Sequence, residues 1–86
     1  MRYAAKPDSN RTEIVEAMRK AGAYVWDIRL PVDLLVGKNE KTWLVEIKRD
    51  RKAKYTKLQK DFFRDWKGGP LVRIETVEQA VKLITG

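Results

Sequence analysis

Apolar and polar residues alternate with two different periods along the chain, and each change of period marks the boundary of a predicted element. From residue 10 to residue 21 the apolar side chains recur every three or four positions, which is typical of an amphipathic helix. The same spacing predicts helices over residues 56–67 and 76–85. Strands are predicted over residues 23–30, 33–36, 42–48 and 71–75. This order, α-β-β-β-α-β-α, predicts a single α/β domain with a mixed central sheet flanked by helices.

Glycine, proline and short polar residues separate these elements. Ser9 or Asn10 is placed to cap the first helix, and Gly22 is placed to end it. Pro31 interrupts the strand pattern, residues 37–41 predict a turn, and Gly-Gly-Pro at residues 68–70 ends the second helix. Residues 1–8 contain Pro7 and are expected to form a leader arm.

The composition is that of one small folded domain with a basic surface. The 86 residues, 43% of them hydrophobic, suffice for one core and not for two. Nineteen basic and 12 acidic residues leave a net charge of +7, which favours a polyanionic partner, most often nucleic acid. No apolar run approaches the roughly 18 residues of a membrane span, and residues 1–4 do not resemble a secretory signal. We therefore expect a cytoplasmic protein with no membrane partner.

The chain contains neither cysteine nor histidine. Disulfide frameworks, thiol catalysis, histidine-based triads and Cys or His zinc sites are therefore excluded. Any catalysis must use carboxylates, lysine, hydroxyl groups or tyrosine, with an oxygen-ligated metal ion as an option.

One group of charged residues could carry such chemistry. Glu46 and Lys48 lie two positions apart on one strand, so their side chains project from the same face. If the turn at 37–41 closes a hairpin that pairs Val36 with Trp43, Asp33 lies opposite Glu46. Two carboxylates and one ammonium group would then converge, which suits Mg²⁺ and its phosphate ligands.

A simpler interpretation of Glu46 and Lys48 is an ion pair on a solvated face of the sheet, worth a few tenths of a kcal/mol. That interpretation fits Asp33 poorly. Asp33 lies among Val32, Leu34 and Leu35, and a carboxylate within an apolar stretch requires a partner or a metal ion.

Seven of the basic residues fall between positions 48 and 60, where there is one acidic residue. This density favours contacts with DNA phosphates, which position a duplex without reading its sequence. The alternative is a solvated turn. The candidate DNA-binding residues are Arg49, Arg51, Lys52, Lys54 and Lys57.

The pattern P-x-D ending at Asp33, followed by E-x-K at Glu46–Lys48, resembles the PD-(D/E)XK nuclease superfamily. The closer resemblance is to its small stand-alone virus-type replication-repair nuclease domains (VRR-NUC), found in phages and bacteria. The stretches D-S-N-R-T-E-I-V, V-D-L-L-V-G, W-L-V-E-I-K and K-Y-T-K-L-Q carry it, and it extends over most of the chain. Two features depart from the family: Val32 separates Pro31 from Asp33, and the segment after Lys48 is unusually basic.

The resemblance implies a restriction-endonuclease-like core and Mg²⁺- or Mn²⁺-dependent hydrolysis of DNA, with branched substrates such as Holliday junctions. It implies that Asp33, Glu46 and the Ile47 carbonyl hold the metal ion, with support from Glu13, and that Lys48 is the catalytic lysine. Gln59 would lie near the site. The resemblance also implies a homodimer and a bacterial or phage-infected host cell, and no small-molecule cofactor is expected.

Glu13 and Gln59 each have a second interpretation as helix-capping residues. With Asn10 or Thr56 as the N-cap, each would be the third helical residue of a capping box. Two other functions also remain open for the chain. It could be a DNA- or junction-binding module without chemistry, or an interaction protein whose exposed aromatic residues pair subunits.

Overall fold

A computed structural model describes residues 9–86, so the expected arm at residues 1–8 lies outside the described residues. Three helices and four strands follow one another in the predicted order. The elements are α1 (Ser9–Lys20), β1 (Tyr24–Asp27), β2 (Leu34–Lys38), β3 (Lys41–Ile47), α2 (Lys57–Asp65), β4 (Leu71–Ile74) and α3 (Val77–Thr85). Within residues 9–86, no helix has the length and apolar character needed to cross a membrane.

The four strands form one mixed sheet in the order β1-β2-β3-β4. The first three strands pair in antiparallel fashion, and β4 joins β3 in parallel after the α2 connection. Val36 pairs with Trp43 and Leu34 with Val45, which is the register expected from the sequence. The next position along this register places Asp33 beside Glu46.

The first helix ends as its sequence predicts. Gly22 adopts a φ of 98°, and its N–H donates to the carbonyl of Arg19. The N–H of Ala23 donates to the carbonyl of Met18, which completes a Schellman motif. The chain therefore reverses sharply and enters β1 directly from the helix.

The hairpin between β2 and β3 is tighter than the turn expected over residues 37–41. Both strands extend into it, and only Asn39 and Glu40 remain as loop residues, with φ values of 53° and 67°. Two consecutive positive φ values are typical of a type I′ turn, whose twist matches that of the flanking strands. Asn tolerates this conformation, whereas Glu is strained in it.

Glu40→Gly is therefore expected to stabilise the protein, by about 0.5–1 kcal/mol of unfolding free energy. Thermal unfolding measures the effect as a rise in Tm of several degrees. Lys41→Gly is the matched control, because Lys41 lies in a strand where glycine lowers stability. Equal effects of the two substitutions would contradict the assigned turn.

One face of the sheet packs against α1 and α3 and forms the core. Ile14 and Met18 of α1 and Ala80 and Ile84 of α3 are buried against it. The sheet contributes alternate residues of each strand to this core: Val25, Leu34, Val36, Trp43, Val45, Ile47 and Ile74. Period-two alternation thus selects the buried face, as the sequence predicts.

Among residues 9–86, the opposite face of the sheet is covered only at one end, by α2. Tyr24 and Trp26 of β1 remain 65% and 57% exposed there, with their rings stacked 6.2 Å apart. No side chain of α2, which lies wholly within the described residues, is buried, and Leu58 is 61% exposed. Of the three tryptophans, Trp43 is a core residue, whereas Trp26 and Trp66 lie on the surface.

The predicted strand at residues 23–30 is wrong beyond Asp27. The backbone N–H groups of Ile28 and Arg29 both donate to the carbonyl of Asp33, so residues 28–33 close into a loop. Arg29 adopts a φ of 68° within it. This loop fixes the backbone of Asp33 just before β2 begins.

Candidate active site

Asp33 is held against the end of β3. Its Oδ2 accepts a hydrogen bond of 2.7 Å from the backbone N–H of Ile47. Its Oδ1 lies 2.8 Å from a guanidinium nitrogen of Arg11. The carboxylate is therefore fixed beside the strand that carries Glu46 and Lys48.

Glu46 is the one charged residue buried within residues 9–86, with 3% of its surface exposed. Its Oε2 accepts a hydrogen bond of 2.6 Å from Nε2 of Gln59 and lies 3.4 Å from Nζ of Lys48. Its Oε1 is buried without a hydrogen-bond partner among the described residues. An unpaired buried carboxylate oxygen is costly, and such a group requires an explanation such as a catalytic role, a water molecule or an ion.

Burial raises the pKa of the Glu46 carboxyl, and the nearby charge of Asp33 raises it further. The ammonium group of Lys48 opposes this rise without cancelling it. The folded protein therefore holds the Glu46 proton more tightly than an unfolded chain does. The charged form is under electrostatic stress that a bound cation would relieve.

Glu46→Gln is expected to raise the free energy of unfolding at pH 7 by about 1 kcal/mol in EDTA, because it removes a charge that burial and the nearby Asp33 disfavour. As pH rises, the unfolded chain releases the Glu46 proton first, near the ordinary pKa of about 4.3. Wild-type stability therefore falls between that pKa and the higher pKa of the folded state. Below the ordinary glutamate pKa, Glu46 is protonated in both the folded and the unfolded state. The stability advantage of Glu46→Gln then disappears.

Denaturant unfolding of both proteins at pH 7 and at pH 3.5 to 4, roughly below the ordinary glutamate pKa, measures this difference. A variant less stable than wild type at pH 7 would contradict the account. It would mean that Lys48 and Gln59 stabilise the Glu46 charge more than burial opposes it.

Gln59 joins the lysine to the buried glutamate. Its Oε1 accepts a hydrogen bond of 2.8 Å from Nζ of Lys48, while its Nε2 donates to Glu46. Gln59 also forms a complete capping box with Thr56 at the start of α2. The two interpretations of Gln59 are therefore compatible, because the cap fixes the side chain that contacts the site.

These side chains surround a cavity of about 310 Å³. It is lined by Asp33, Glu46, Ile47, Lys48, Arg49, Ala53 and Gln59. Residues 9–86 contain no group of three or more acidic, His or Cys side chains placed to hold a metal ion. Two carboxylates nevertheless suit Mg²⁺, which commonly completes its coordination with water and phosphate oxygens. The unpaired Oε1 of Glu46 fits that chemistry.

Glu13 is not brought to this cavity. It lies exposed on α1 and does not line the site. The capping interpretation with Asn10 as N-cap is also wrong, because Asn10 lies inside the helix. The Asn10 side chain instead donates to the carbonyls of Lys48 and Glu75, which ties α1 to the ends of β3 and β4.

Arg11 is a site residue that sequence reasoning missed. Its guanidinium group bridges Asp27 and Asp33, at 2.8 Å from each. The spacing of three and seven positions from Arg11 to Ile14 and Met18 puts Arg11 on the buried face of the helix, but it does not identify Asp33 as its partner.

The basic segment after Lys48 forms an exposed border to the cavity. Arg51, Lys52 and Lys54 are exposed and form no ion pair with any residue in the described range. Arg49 lies 3.9 Å from Asp50, and Lys57 pairs with Asp61 at 3.1 Å.

Arg73 of β4 holds the backbone of the basic segment that follows Lys48. It donates hydrogen bonds to the carbonyls of Asp50 and Ala53, at 2.9 and 2.7 Å. Its guanidinium group also lies 5.1 Å from the centre of the Tyr55 ring, which packs on Phe63. Tyr55 is therefore a half-buried packing residue in this structure.

No family model, curated protein or solved structure matches the chain. The function proposed for the protein therefore rests on the geometry of the site and on the sequence motifs.

Proposed function

We propose that the protein is a metal-dependent DNA endonuclease of the PD-(D/E)XK type. The observation that carries the proposal is the juxtaposition of Asp33, buried Glu46 and Lys48 around one cavity. An ion pair on a solvated face does not explain it, because Glu46 is 3% exposed and its Oε1 has no partner in residues 9–86.

Each side chain has a role in phosphodiester hydrolysis. Asp33, Glu46 and the carbonyl of Ile47 would hold Mg²⁺ or Mn²⁺, which when bound polarises a phosphate and acidifies a water molecule. Lys48 donates hydrogen bonds to the attacking water or to a phosphate oxygen as negative charge develops there. Gln59 positions Lys48 through the 2.8 Å contact with its Nζ. Water attacks phosphorus and releases a proton to solvent, while the bond to the departing sugar oxygen breaks and that oxygen takes up a proton from solvent.

The substrate of the proposed enzyme is DNA, with branched DNA such as a Holliday junction as the preferred form. The exposed residues Arg51, Lys52 and Lys54 lie in the segment that borders the cavity and are available to contact phosphates near the scissile bond. Phosphate contacts position the DNA backbone without reading the base sequence, which favours recognition of the DNA by its shape.

The chemistry is tested by incubating labelled DNA with the protein in Mg²⁺, in Mn²⁺ and in EDTA. The proposal predicts discrete products with a terminal phosphate in either metal and intact DNA in EDTA. Products that persist in EDTA would contradict a metal-dependent mechanism.

The second candidate is a DNA-binding module without chemistry. It is favoured by the basic border and by the lack of a third acidic ligand in the described part of the chain. It predicts salt-sensitive DNA binding, no product in any metal, and unchanged binding when Lys48 is replaced.

The proposed nuclease acts as a homodimer, because cutting both strands of a symmetric junction requires two sites related by a two-fold axis. The exposed apolar residues Tyr24, Trp26 and Leu35, on the uncovered face of the sheet, are available for such pairing. Light scattering at working concentration is expected to give twice the 10.0 kDa chain mass. A monomer mass would contradict this assembly.

A further inference from the structure

The guanidinium group of Arg11 engages one oxygen of Asp33, the carboxylate that the proposed metal ion would share with Glu46. It lies 2.8 Å from Oδ1 of Asp33, and its side chain is 19% exposed. The other oxygen of Asp33 accepts the Ile47 N–H at 2.7 Å. Both oxygens of this carboxylate are therefore engaged, one of them by a positive charge. A divalent cation and the Arg11 guanidinium group would repel each other at this carboxylate.

Asp27 is a second acidic partner of the Arg11 guanidinium group. It lies 2.8 Å from the other terminal nitrogen of Arg11, and its side chain is 45% exposed. A cavity of about 390 Å³ lined by Arg11, Asp27, Arg29 and Asp33 leaves room for the side chain to shift. Arg29 competes weakly for Asp27, since it is 83% exposed and 3.8 Å away.

We infer that Arg11 is a displaceable counter-cation of the metal site. It neutralises Asp33 in the metal-free protein and withdraws to Asp27 when a divalent cation binds. Asp27 thus sets metal affinity without touching the metal ion. This inference rests on the proposed function, because it takes Asp33 as a metal ligand.

The inference makes predictions of opposite sign for two neighbouring residues. Arg11→Gln removes the competitor and is expected to tighten Mn²⁺ binding about tenfold, the size expected for a hydrogen bond between charged groups. Asp27→Asn removes the second acidic partner of Arg11, so the guanidinium group stays on Asp33. This variant is therefore expected to weaken Mn²⁺ binding several-fold. A purely structural role for the Asp27–Arg11–Asp33 bridge predicts weaker binding in both variants.

The experiment is titration of the DNA-free protein with Mn²⁺, followed by calorimetry or by electron paramagnetic resonance of free Mn²⁺. Lys20→Gln is the matched control, since it removes one positive charge from the exposed end of the same helix. Its affinity is expected to stay within about twofold of wild type, because an exposed charge many ångströms away is screened. Circular dichroism and thermal unfolding check that each variant is folded.

Asp33→Asn separates the failure of this inference from that of the proposed function. Binding by wild type that is lost in Asp33→Asn, with no tightening in Arg11→Gln, overturns the role of Arg11 and leaves the metal site standing. Binding seen only in Arg11→Gln supports the inference strongly. If neither wild type nor Arg11→Gln binds Mn²⁺, the metal site and this inference both fall.

Discussion

Replacing Lys48 by Ala is expected to reduce metal-dependent DNA cleavage by a factor of about 10²–10³, the usual cost of removing one donor aimed at developing charge. The Lys48 side chain is 13% exposed, and Gln59 and Glu46 hold its ammonium group, so the position of that group is fixed before substrate arrives. Asp33→Ala and Glu46→Ala are expected to abolish cleavage, because each removes one of the two carboxylates at the cavity.

Initial rates on labelled DNA under single-turnover conditions measure these effects. Lys41→Ala is the matched control, because Lys41 lies exposed at the other end of the same strand. It is expected to cut at the wild-type rate. Lys48→Ala should also retain most DNA affinity, which places its effect on the chemical step. Three site variants that cut like wild type would exclude the proposed active site.

Removing the charges of Arg51, Lys52 and Lys54 together is expected to weaken DNA binding at least tenfold at physiological salt. Each phosphate contact contributes about 0.9 to the slope of log affinity against log salt, so the triple glutamine variant should lower the slope by about 2–3. The three side chains are exposed and pair with no described residue, so little stability should be lost.

Fluorescence anisotropy at several salt concentrations, in EDTA to prevent cleavage, gives both slopes. A triple variant of Lys20, Lys41 and Lys82 removes the same charge from exposed positions on other elements. Its slope is expected to stay close to that of wild type. Equal losses in the two triple variants would mean that the net charge of +7 governs binding, without a defined DNA-binding border.

The sequence predicted the part of the site that depends on strand geometry. Alternation within β3 places Glu46 and Lys48 on one face, and the pairing of Val36 with Trp43 brings Asp33 beside them. Both inferences rely on short-range regularities, the two-residue period of a strand and the register set by a hairpin.

Contacts between distant segments could not be predicted in the same way. Arg11 reaches Asp33 from another element, and Arg73 holds the segment at Asp50 from 23 residues away. Local patterns do not specify which distant group a long side chain reaches. The metal-supporting role of Glu13 is implied by the family resemblance, whereas in this structure Glu13 lies exposed and does not line the cavity.

The sequence also does not predict how much of the apolar face of α2 is covered by the rest of the protein. The stripe of Leu58, Phe62, Phe63 and Trp66 is typical of a packed helix, yet Leu58 and Trp66 remain 61% and 39% exposed in this chain. Periodicity shows that a helix has an apolar face, and it does not show what covers that face.

Cleavage of four labelled substrates tests the central claim most directly. Four-way junction, flap, duplex and single strand are incubated with Mg²⁺, Mn²⁺ or EDTA, using wild type beside Lys48→Ala. The account predicts cutting by wild type in metal, with the junction preferred, and loss of cutting in EDTA and in the variant. Tight binding of the junction without any cutting by wild type in either metal would contradict it.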